Sequence, residues 1–457
     1  MQENVQKNTH RRQYLRVQKG AALLILMAII ALLATAATVD YFSRANMQQL
    51  KMQKTQQALA TAKQALLAYS TEKIDTNAKC GLNCARPGDL PCPDKNNDGN
   101  AETNCNAQAS RLGRLPWKTL GIDDIRDGSS ERLWYAVSER FKNNTRILPL
   151  SSETLGTITL KDAQGNLIND AANGAGLVAM IIAPNEILTR ADNLQQSRSA
   201  DNINNPMHYL DIAANEDNAD FVENNANGFI LGTLSQDDAI NDTILTITKK
   251  EINTVMETSV LTEVMQALLF NFCPNQVEIK TRSCKATTAY DFFPDPALVN
   301  DTSCLGNAAI ANTTCSADNS VNFGRIPVSG NTNWTEKDVN SILRGEAEHN
   351  WFQQNGWREL IFYARAPACQ ETTKNCSGTG FLTLNGAITP TTTPSNLNKK
   401  LVLISAGGAL ATQNRVSSAD KTVFTHYIED ENLSPLDDTF ARYAPDADKN
   451  DRATSIP

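Results

Sequence analysis

The first strong pattern in the chain is an apolar run from Ala21 to Val39, nineteen residues without a charged side chain. At a rise of about 1.5 Å per residue, a helix over this run nearly crosses a hydrocarbon core of about 30 Å. Basic residues precede the run, and Asp40 follows it. By the positive-inside rule, the sequence predicts one membrane-spanning helix, with the N-terminus in the cytoplasm and everything after Asp40 outside.

The helical pattern continues beyond the apolar run, because residues 40–70 contain neither Pro nor Gly and are rich in good helix formers. An apolar stripe with helical spacing follows, formed by Leu59, Ala62, Leu66 and Tyr69. One helix over residues 21–70 is therefore expected, apolar in its first half and amphipathic in its second. A second amphipathic helix is predicted over residues 251–272, with its apolar stripe at Met256, Val260, Val264 and Leu268.

Several short motifs occur twice, in the same order. The clearest matches are Gln64–Leu67 with Gln266–Leu269, Gly113–Pro116 with Gly324–Pro327, and His208–Leu210 with His426–Ile428. We interpret them as an internal duplication, with domains at residues 71–250 and 251–457. A single large α+β domain with chance similarities is the alternative.

Strand patterns follow the helices in both halves. Residues 157–160 and 167–168 flank a turn, and residues 381–384 lead into Asn385-Gly386, a strong hairpin signal. Each predicted hairpin precedes a short apolar run typical of a core strand, at residues 177–183 and 401–406. Helices followed by antiparallel strands predict the α+β class.

Composition excludes some functions. The chain has 457 residues, 41% of them hydrophobic, with 42 Lys and Arg against 50 Asp and Glu. It can bury substantial cores, so general disorder is excluded. A net charge of −8 without a basic stripe argues against nucleic acid as a partner.

The chain has ten cysteines, an even number, and no Cys-x-x-Cys pair of the kind that binds a metal. This favours disulfides in an oxidising compartment. Close neighbours are the simplest partners, although an even set allows other connectivities. The expected pairs are Cys80–Cys84, Cys92–Cys105, Cys273–Cys284, Cys304–Cys315 and Cys369–Cys376.

The basic leader ending in Lys19-Gly20, followed by a helix with an apolar first half and an amphipathic second half, resembles type IV pilins and the pseudopilins of type II secretion. The resemblance covers residues 16–70. It implies that residues 1–20 are a leader, that a prepilin peptidase cuts after Gly20, and that Ala21 becomes the methylated N-terminus. Ile25 stands where the family usually has Glu. Members without that Glu are associated with the fibre tip.

From this resemblance we expect a long transmembrane and amphipathic helix followed by two duplicated pilin-like domains with antiparallel sheets. The expected function is that of a minor pilin or pseudopilin, at the tip or in priming, whose partners are other such subunits, the prepilin peptidase and the inner membrane. The expected location is the inner membrane, with a single span and a periplasmic or fibre-borne globular part. The alternative is a single-pass membrane-anchored periplasmic or surface adhesin or ligand-binding protein that never assembles.

Residues 94–99 resemble the first half of a calcium loop, with oxygen-bearing side chains at positions one, three and five and Gly at position six. The candidate ligands are Asp94, Asn96, Asp98, Asn100 and Glu102. Cys105 occupies the twelfth position, where an EF-hand has Glu. An Asx-rich turn without a metal is the alternative. A second acidic group, Asp446, Asp448 and Asp451, is interpreted as a solvated tail.

No catalytic function is predicted, and no cofactor is required. The chain has neither Gly-x-Ser-x-Gly nor Gly-Lys-Ser/Thr, and His349 lacks the second His of a zincin helix. His208 and His426 each precede a Tyr in the repeated motif. We interpret both as packing residues.

Overall fold

The structure of the protein is a computed structural model. It divides into two compact units, Met1–Lys54 and Thr55–Pro457. The described residues are 21–72, 85–142, 148–213, 216–220, 228–231, 240–271, 277–278, 283–284, 293–305, 315–327, 351–370, 376, 379–386, 397–433, 438–442 and 449–456.

Helix α1 runs from Ala21 to Glu72. A membrane-spanning helix needs about 20 consecutive, predominantly apolar residues. Within the described part of the chain, no helix is long and apolar enough to cross a membrane. The predicted transmembrane helix is therefore wrong, and so is the single-pass inner-membrane location that was deduced from it.

Among the described residues of the second unit there are three α-helices besides the end of α1: α2 (Lys249–Asn271), α3 (Trp351–Gln354) and α4 (Trp357–Leu360). Helix α2 begins with a reciprocal cap. The Thr248 backbone N–H donates to Glu251 Oε2 at 3.0 Å, and the Glu251 backbone N–H donates to Thr248 Oγ1 at 3.3 Å. This capping box satisfies two donors that the first turn of a helix otherwise leaves free.

Seventeen short strands make up six sheets among the described residues. In chain order they are β1 (Leu112–Arg114), β2 (Trp134–Val137), β3 (Leu160–Asp162), β4 (Leu167–Asn169), β5 (Ala179–Ala183), β6 (Ile212–Ala213), β7 (Glu216–Asp217), β8 (Phe229–Leu231), β9 (Thr243–Ile247), β10 (Val277–Glu278), β11 (Ser283–Cys284), β12 (Phe323–Arg325), β13 (Ile361–Arg365), β14 (Thr383–Asn385), β15 (Leu401–Ser405), β16 (Thr439–Ala441) and β17 (Arg452–Ile456). Short 3-10 helices occupy Gln108–Arg111, Glu139–Phe141, Ala200–Asn202, Pro206–His208, Thr302–Cys304, Pro367–Cys369, Asp420–Thr422, Phe424–His426 and Asp430–Leu433.

The two largest sheets have the same plan. One has the strand order β1-β2-β5-β9 and the other β12-β13-β15-β17, and every pairing in both is antiparallel. Their registers also correspond, since Gly113 lies opposite Tyr135 in the first sheet and Gly324 opposite Tyr363 in the second. Residues that share a motif in the sequence thus occupy matching positions in the two sheets.

The glycine of each matched motif lies beneath a crossing segment of backbone. A Cβ on Gly113 would lie 2.7 Å from the carbonyl oxygen of Asp94, and one on Gly324 would lie 2.0 Å from that of Ala297. Both distances are shorter than real Cβ contacts. The crossing segments pair with the next residue of each strand, Asp94 with Arg114 and Ala297 with Arg325. Glycine is therefore required for this close backbone approach.

One hydrophobic core joins the two large sheets to the second half of α1 and to α2. The predicted apolar stripes are confirmed: Leu59, Ala62, Leu66 and Tyr69 are 0–8% exposed, and Met256, Val260, Val264 and Leu268 are fully buried. A second, smaller cluster covers the other face of the first sheet, around Trp134, Met180 and Tyr209.

The smaller sheets test the predicted hairpins. Strands β3 and β4 form the expected antiparallel hairpin, and β3 also pairs with β8 in parallel. In the second half, β14 pairs in parallel with β16. Among the described residues, the partner of β14 is thus a strand from a distant segment and not the second strand of a hairpin. The runs predicted as core strands contain β5 and β15, which are buried throughout.

The expected fold of a membrane-spanning helix followed by two duplicated pilin-like domains is wrong. Residues from Thr55 onward form a single compact unit, and its described part holds several small sheets, mostly antiparallel, in an α+β-like arrangement. The physical reason is the shared core, since α2 packs with both halves. The boundary between residues 250 and 251 as the limit of an internal repeat stays a prediction.

Disulfides join Cys92 to Cys105, Cys304 to Cys315 and Cys369 to Cys376. These are three of the five pairs expected from the sequence. The other two pairs include Cys80, Cys84 and Cys273, which lie outside the described residues.

Candidate functional site

Residues 29–33, in the first half of α1, present apolar side chains on every side of the helix. Met27, Ile29, Ile30, Leu32 and Leu33 are between 48% and 69% exposed. Since successive residues of an α-helix are rotated by about 100°, positions 29 to 33 cover its whole circumference. A helix that is apolar all round is normally buried. This segment is therefore a surface that a partner is expected to cover.

The exposed apolar side chains continue along α1. Met47, Leu50 and Met52 are between 46% and 61% exposed. Polar residues separate them, and Gln48, Gln49 and Lys54 are also exposed. Among the side chains that the structure describes, the continuous apolar surface therefore lies at residues 29–33.

The residues predicted for processing lie at the edge of the described chain. Residues 1–20, which include Gly20, are outside the described residues. Ala21 is the first residue of α1. Cleavage after Gly20, methylation of Ala21 and the role of the prepilin peptidase stay predictions.

The candidate calcium loop is organised around Asp94. The backbone N–H groups of Asn96, Asn97 and Asp98 donate to Asp94 Oδ1 at 3.1, 2.6 and 3.3 Å, and that of Gly99 donates to Oδ2 at 2.7 Å. Burial raises the pKa of Asp94, although these N–H donors oppose the shift. The contacts form the Asx-type turn that the sequence offers as the alternative to calcium.

The other candidate ligands point to different parts of the loop. The Asn100 backbone N–H donates to Asp98 Oδ1 at 2.7 Å and lowers the pKa of that exposed carboxyl. Glu102 Oε1 accepts from the Lys95 backbone N–H at 3.2 Å. In the described part of the chain, no three His, Cys, Asp or Glu residues are placed to hold a metal together. Calcium binding by these carboxylates together with the side-chain amides of Asn96 and Asn100 stays a prediction.

A buried arginine lies between aromatic rings in each half of the second unit. The Arg114 guanidinium is 4.2 Å from the ring centroid of Trp134 and 3.9 Å from that of Tyr209. The guanidinium of Arg198 also lies 4.2 Å from the centroid of the Tyr209 ring. Burial lowers the pKa of Arg114 to about 10. The rings thus stabilise cations that carry little hydration.

The second half has the matching cluster. The Arg325 guanidinium is 4.8 Å from the ring centroid of Phe362 and 4.9 Å from that of Tyr427, and Arg415 lies 4.5 Å from Tyr427. Here the Tyr427 hydroxyl also donates to Glu359 Oε1 at 2.8 Å. Arg114 is the last residue of β1 and Arg325 the last of β12, so each contact with Tyr209 or Tyr427 holds a connecting segment on its sheet.

Comparison with protein-family models, with curated proteins and with solved structures finds no match. The function of the chain therefore has to be argued from its own residues.

A pair of buried carboxylates was missed by sequence reasoning. The Asp211 backbone N–H donates to Asp242 Oδ2 at 2.8 Å, and the Asp242 backbone N–H donates to Asp211 Oδ2 at 2.9 Å. Gln196 Nε2 donates to Asp211 Oδ1, and Asn218 Nδ2 donates to Asp242 Oδ2. Burial raises the pKa of Asp211 to about 6, and burial with the nearby Asp211 charge raises that of Asp242.

The same arrangement recurs in the second half. The Glu429 backbone N–H donates to Asp451 Oδ2 at 3.0 Å, and the Asp451 backbone N–H donates to Glu429 Oε2 at 3.2 Å. Gln413 and Asn432 take the positions of Gln196 and Asn218. Burial, followed by the Glu429 charge, raises the pKa of Asp451. The interpretation of Asp451 as solvated tail is wrong, while Asp446 and Asp448 lie outside the described residues.

A sequence signal for these pairs exists, because an acidic residue follows both repeated motifs, Asp211 after Leu210 and Glu429 after Ile428. Asp211 and Asp451 are fully buried, and Asp242 and Glu429 are at most 8% exposed. A substrate cannot reach such carboxylates without a rearrangement. Their contacts with backbone N–H groups support a role in joining loops to the sheets.

The histidines of the repeated motifs also contact backbone. The Ser197 backbone N–H donates to His208 Nδ1 at 3.2 Å, and His426 Nδ1 lies 3.0 Å from the carbonyl oxygen of Asp420. His349 is outside the described residues.

Proposed function

We propose that this protein is a structural subunit that assembles with other subunits through the first half of α1. The observation that carries the proposal is the exposure of Ile29 to Leu33 on all sides of a helix. Covering apolar surface is worth about 25 cal/mol per Å², so surrounding helices would stabilise this segment strongly. Helices of other subunits supply such surroundings.

The resemblance of residues 16–70 to type IV pilins and pseudopilins supports a fibre as the form of assembly. In that family, the corresponding helices pack together in the fibre. Ile25, in place of the usual Glu, favours a minor subunit at the tip or in priming. The size of the second unit, Thr55–Pro457, favours the same position, because a large globular part crowds a helical lattice.

A photo-crosslinking amino acid at position 32 tests the proposal in cells that express the full chain. Leu32 is 69% exposed. We expect adducts in which α1 is joined to another subunit or to a second copy. The matched control places the same amino acid at Leu167, which is 55% exposed on β4. No protein adduct at position 32, or the same adducts at both positions, contradicts the proposal.

A further inference from the structure

A groove of about 540 Å³ lies between the end of α1 and the solvent-facing side of α2. Its volume falls within the range of about 300–1,000 Å³ that is typical of binding sites. Thr71 and Glu72 line it from α1. From α2 it is lined by Thr254, Thr258, Ser259, Thr262 and Glu263. Thr258 and Thr262 are exposed, so a ligand in the groove can reach their hydroxyl oxygens.

The threonine hydroxyls on α2 donate their hydrogens to the helix itself. Thr258 Oγ1 donates to the carbonyl oxygen of Thr254, and Thr262 Oγ1 donates to that of Thr258, both at 2.8 Å. Thr254 Oγ1 donates in the same way to the carbonyl oxygen of Lys250. A hydroxyl has one donor hydrogen and two acceptor lone pairs. These three hydroxyl groups therefore offer acceptors to a ligand and no donors.

One of these oxygens accepts from a guanidinium of the chain itself. Arg452 Nη2 donates to Thr254 Oγ1 at 2.8 Å, while Arg452 Nε donates to Glu257 Oε2 at 2.8 Å. A threonine oxygen and a carboxylate thus bind one arginine at this end of the groove. The same two groups recur further along α2, at Thr262 and Glu263. The structure therefore already contains an example of the ligand chemistry that the rest of the groove suits.

The charge of the groove is negative. Among the described residues that line it, Glu72 and Glu263 are charged, and none is Lys, Arg or His. Thr254 also lines a second cavity together with Lys250 and Arg452, so a cation is attracted to the other end of the groove. A metal ion fits poorly, because no three His, Cys, Asp or Glu residues of the described chain are placed to hold one together.

We propose that this groove binds a basic segment of a partner protein. The guanidinium groups of two arginines in that segment donate to Thr258 Oγ1 and Thr262 Oγ1, and their charge is balanced by the two glutamates of the groove. A guanidinium suits the site because it is always charged and carries five donors and no acceptor. Binding at this groove does not require assembly through the first half of α1.

The spacing of the two threonines indicates the form of the segment. At a rise of about 1.5 Å per residue, Thr258 and Thr262 are about 6 Å apart along α2. In an extended chain, side chains on the same face are two residues and about 6.6–6.8 Å apart. Two arginines separated by one residue can therefore reach both threonine oxygens from one extended segment.

Calorimetric titration of the full chain with the peptide acetyl-Arg-Gly-Arg-amide tests the proposal. The natural chain is expected to bind this peptide. A control peptide with neutral citrulline in place of both arginines is expected to bind at least about tenfold more weakly, the effect of one lost charge-assisted hydrogen bond. Thr258→Val keeps the shape of the side chain and removes its oxygen, so it is expected to weaken binding by a similar factor. The matched control is Thr422→Val, whose hydroxyl donates to the carbonyl oxygen of Ala419 outside the groove.

A second variant tests the charge of the groove. Glu72 is exposed at the end of α1, so Glu72→Gln is expected to keep the fold. It is expected to weaken binding of the arginine peptide about threefold, as the loss of one exposed ion pair does. The matched control is Glu186→Gln, on the exposed loop after β5, which is expected to bind as the natural chain does.

Three outcomes overturn the proposal: no binding of the arginine peptide by the natural chain, equal binding of the citrulline peptide, or unchanged binding by Thr258→Val and Glu72→Gln. The last outcome means that the acidic chain attracts the peptide without using the groove. If Thr258→Val does not fold, Ser259→Lys replaces it. Ser259 is partly exposed in the groove, and the new cation must weaken binding. Equal binding by the natural chain and Ser259→Lys also overturns the proposal.

Discussion

The guanidinium of Arg114 lies 3.9 Å from the centre of the Tyr209 ring, and this contact holds a loop against the first sheet. Arg114 also donates to the carbonyl oxygens of Arg132 and Ile203, each at 3.0 Å. Arg325 and Tyr427 stand in the same relationship, with 4.9 Å between guanidinium and ring centre. The two contacts allow one substitution to be compared in two places.

We predict that replacing the ring lowers stability in both halves, whereas removing the hydroxyl does so mainly in the second. Tyr209→Leu and Tyr427→Leu are each expected to lower the free energy of unfolding by about 2–4 kcal/mol, through lost packing and cation–π contact. Tyr427→Phe is expected to cost about 1–3 kcal/mol, since it removes a hydroxyl that donates to the buried Glu359 carboxylate.

Urea unfolding of these variants measures the differences, with Tyr209→Phe as the matched control. We expect Tyr209→Phe to cost less than Tyr427→Phe. Equal losses for the two Phe variants contradict the assignment of the Tyr427 hydroxyl to Glu359.

A second prediction concerns the glycines beneath the crossing segments. Gly113→Ala and Gly324→Ala are each expected to destabilise the protein by about 1–3 kcal/mol, as overpacking typically does. Gly324→Ala should be the more severe, because its Cβ would approach the Ala297 oxygen more closely than the Gly113 Cβ approaches the Asp94 oxygen. Thermal unfolding of both variants checks the order. A neutral effect of Gly324→Ala would falsify the close backbone approach.

The third prediction is a pH dependence of stability from the Asp211–Asp242 pair. The folded-state pKa of Asp211 is raised to about 6 from an ordinary 3.8. The contribution of protonated Asp211 to the free energy of unfolding is therefore fully present below about pH 4. It is lost as the pH rises through 6, because the folded protein then has to ionise a buried carboxyl. The difference of roughly two pKa units corresponds to about 3 kcal/mol. Burial raises this pKa, while the backbone N–H groups of Asn241 and Asp242, the Gln196 side chain and the charge of Arg190 oppose the shift.

Asp242→Asn removes a carboxyl whose own pKa is raised by burial and then by the Asp211 charge, and which therefore adds to the loss of stability as the pH rises. We expect unfolding free energies measured from pH 4 to pH 7 to fall less steeply for this variant than for the natural chain. Asp170→Asn, a change of the same kind on an exposed loop, serves as the control. Parallel curves for the natural chain and Asp242→Asn rule out the assigned coupling.

The fourth prediction separates calcium binding from a metal-free turn at residues 94–102. Asp94→Ala is expected to destabilise the protein under either interpretation, since its carboxylate accepts from four backbone N–H groups. The exposed carboxylate of Asp98 accepts from one backbone N–H group, that of Asn100. Asp98→Ala should therefore have little effect in EDTA, yet abolish any calcium-dependent rise in melting temperature. If millimolar calcium leaves the melting temperature of the natural chain unchanged, the calcium interpretation is wrong and these residues form a metal-free turn.

Local patterns in the sequence predict local structure well. The stripe from Met256 to Leu268 and the run from Leu401 to Ala406 identify buried elements because their periodicity reflects a single apolar face or core. The overall fold was mispredicted, because the sharing of one core by both halves depends on contacts between distant segments. Asp211 and Asp242 are 31 residues apart, and neither has a local pattern that reveals its partner.

The shared core also limits how the chain can be divided. The fully buried Met256 and Val260 of α2 pack in the same cluster as Leu59 of α1 and Tyr135 of the first sheet. A fragment that stops near residue 250 would expose the surface that α2 covers and would be prone to aggregation. The two halves are thus expected to fold, persist and be degraded together, and neither can be transplanted into another protein as an independent module.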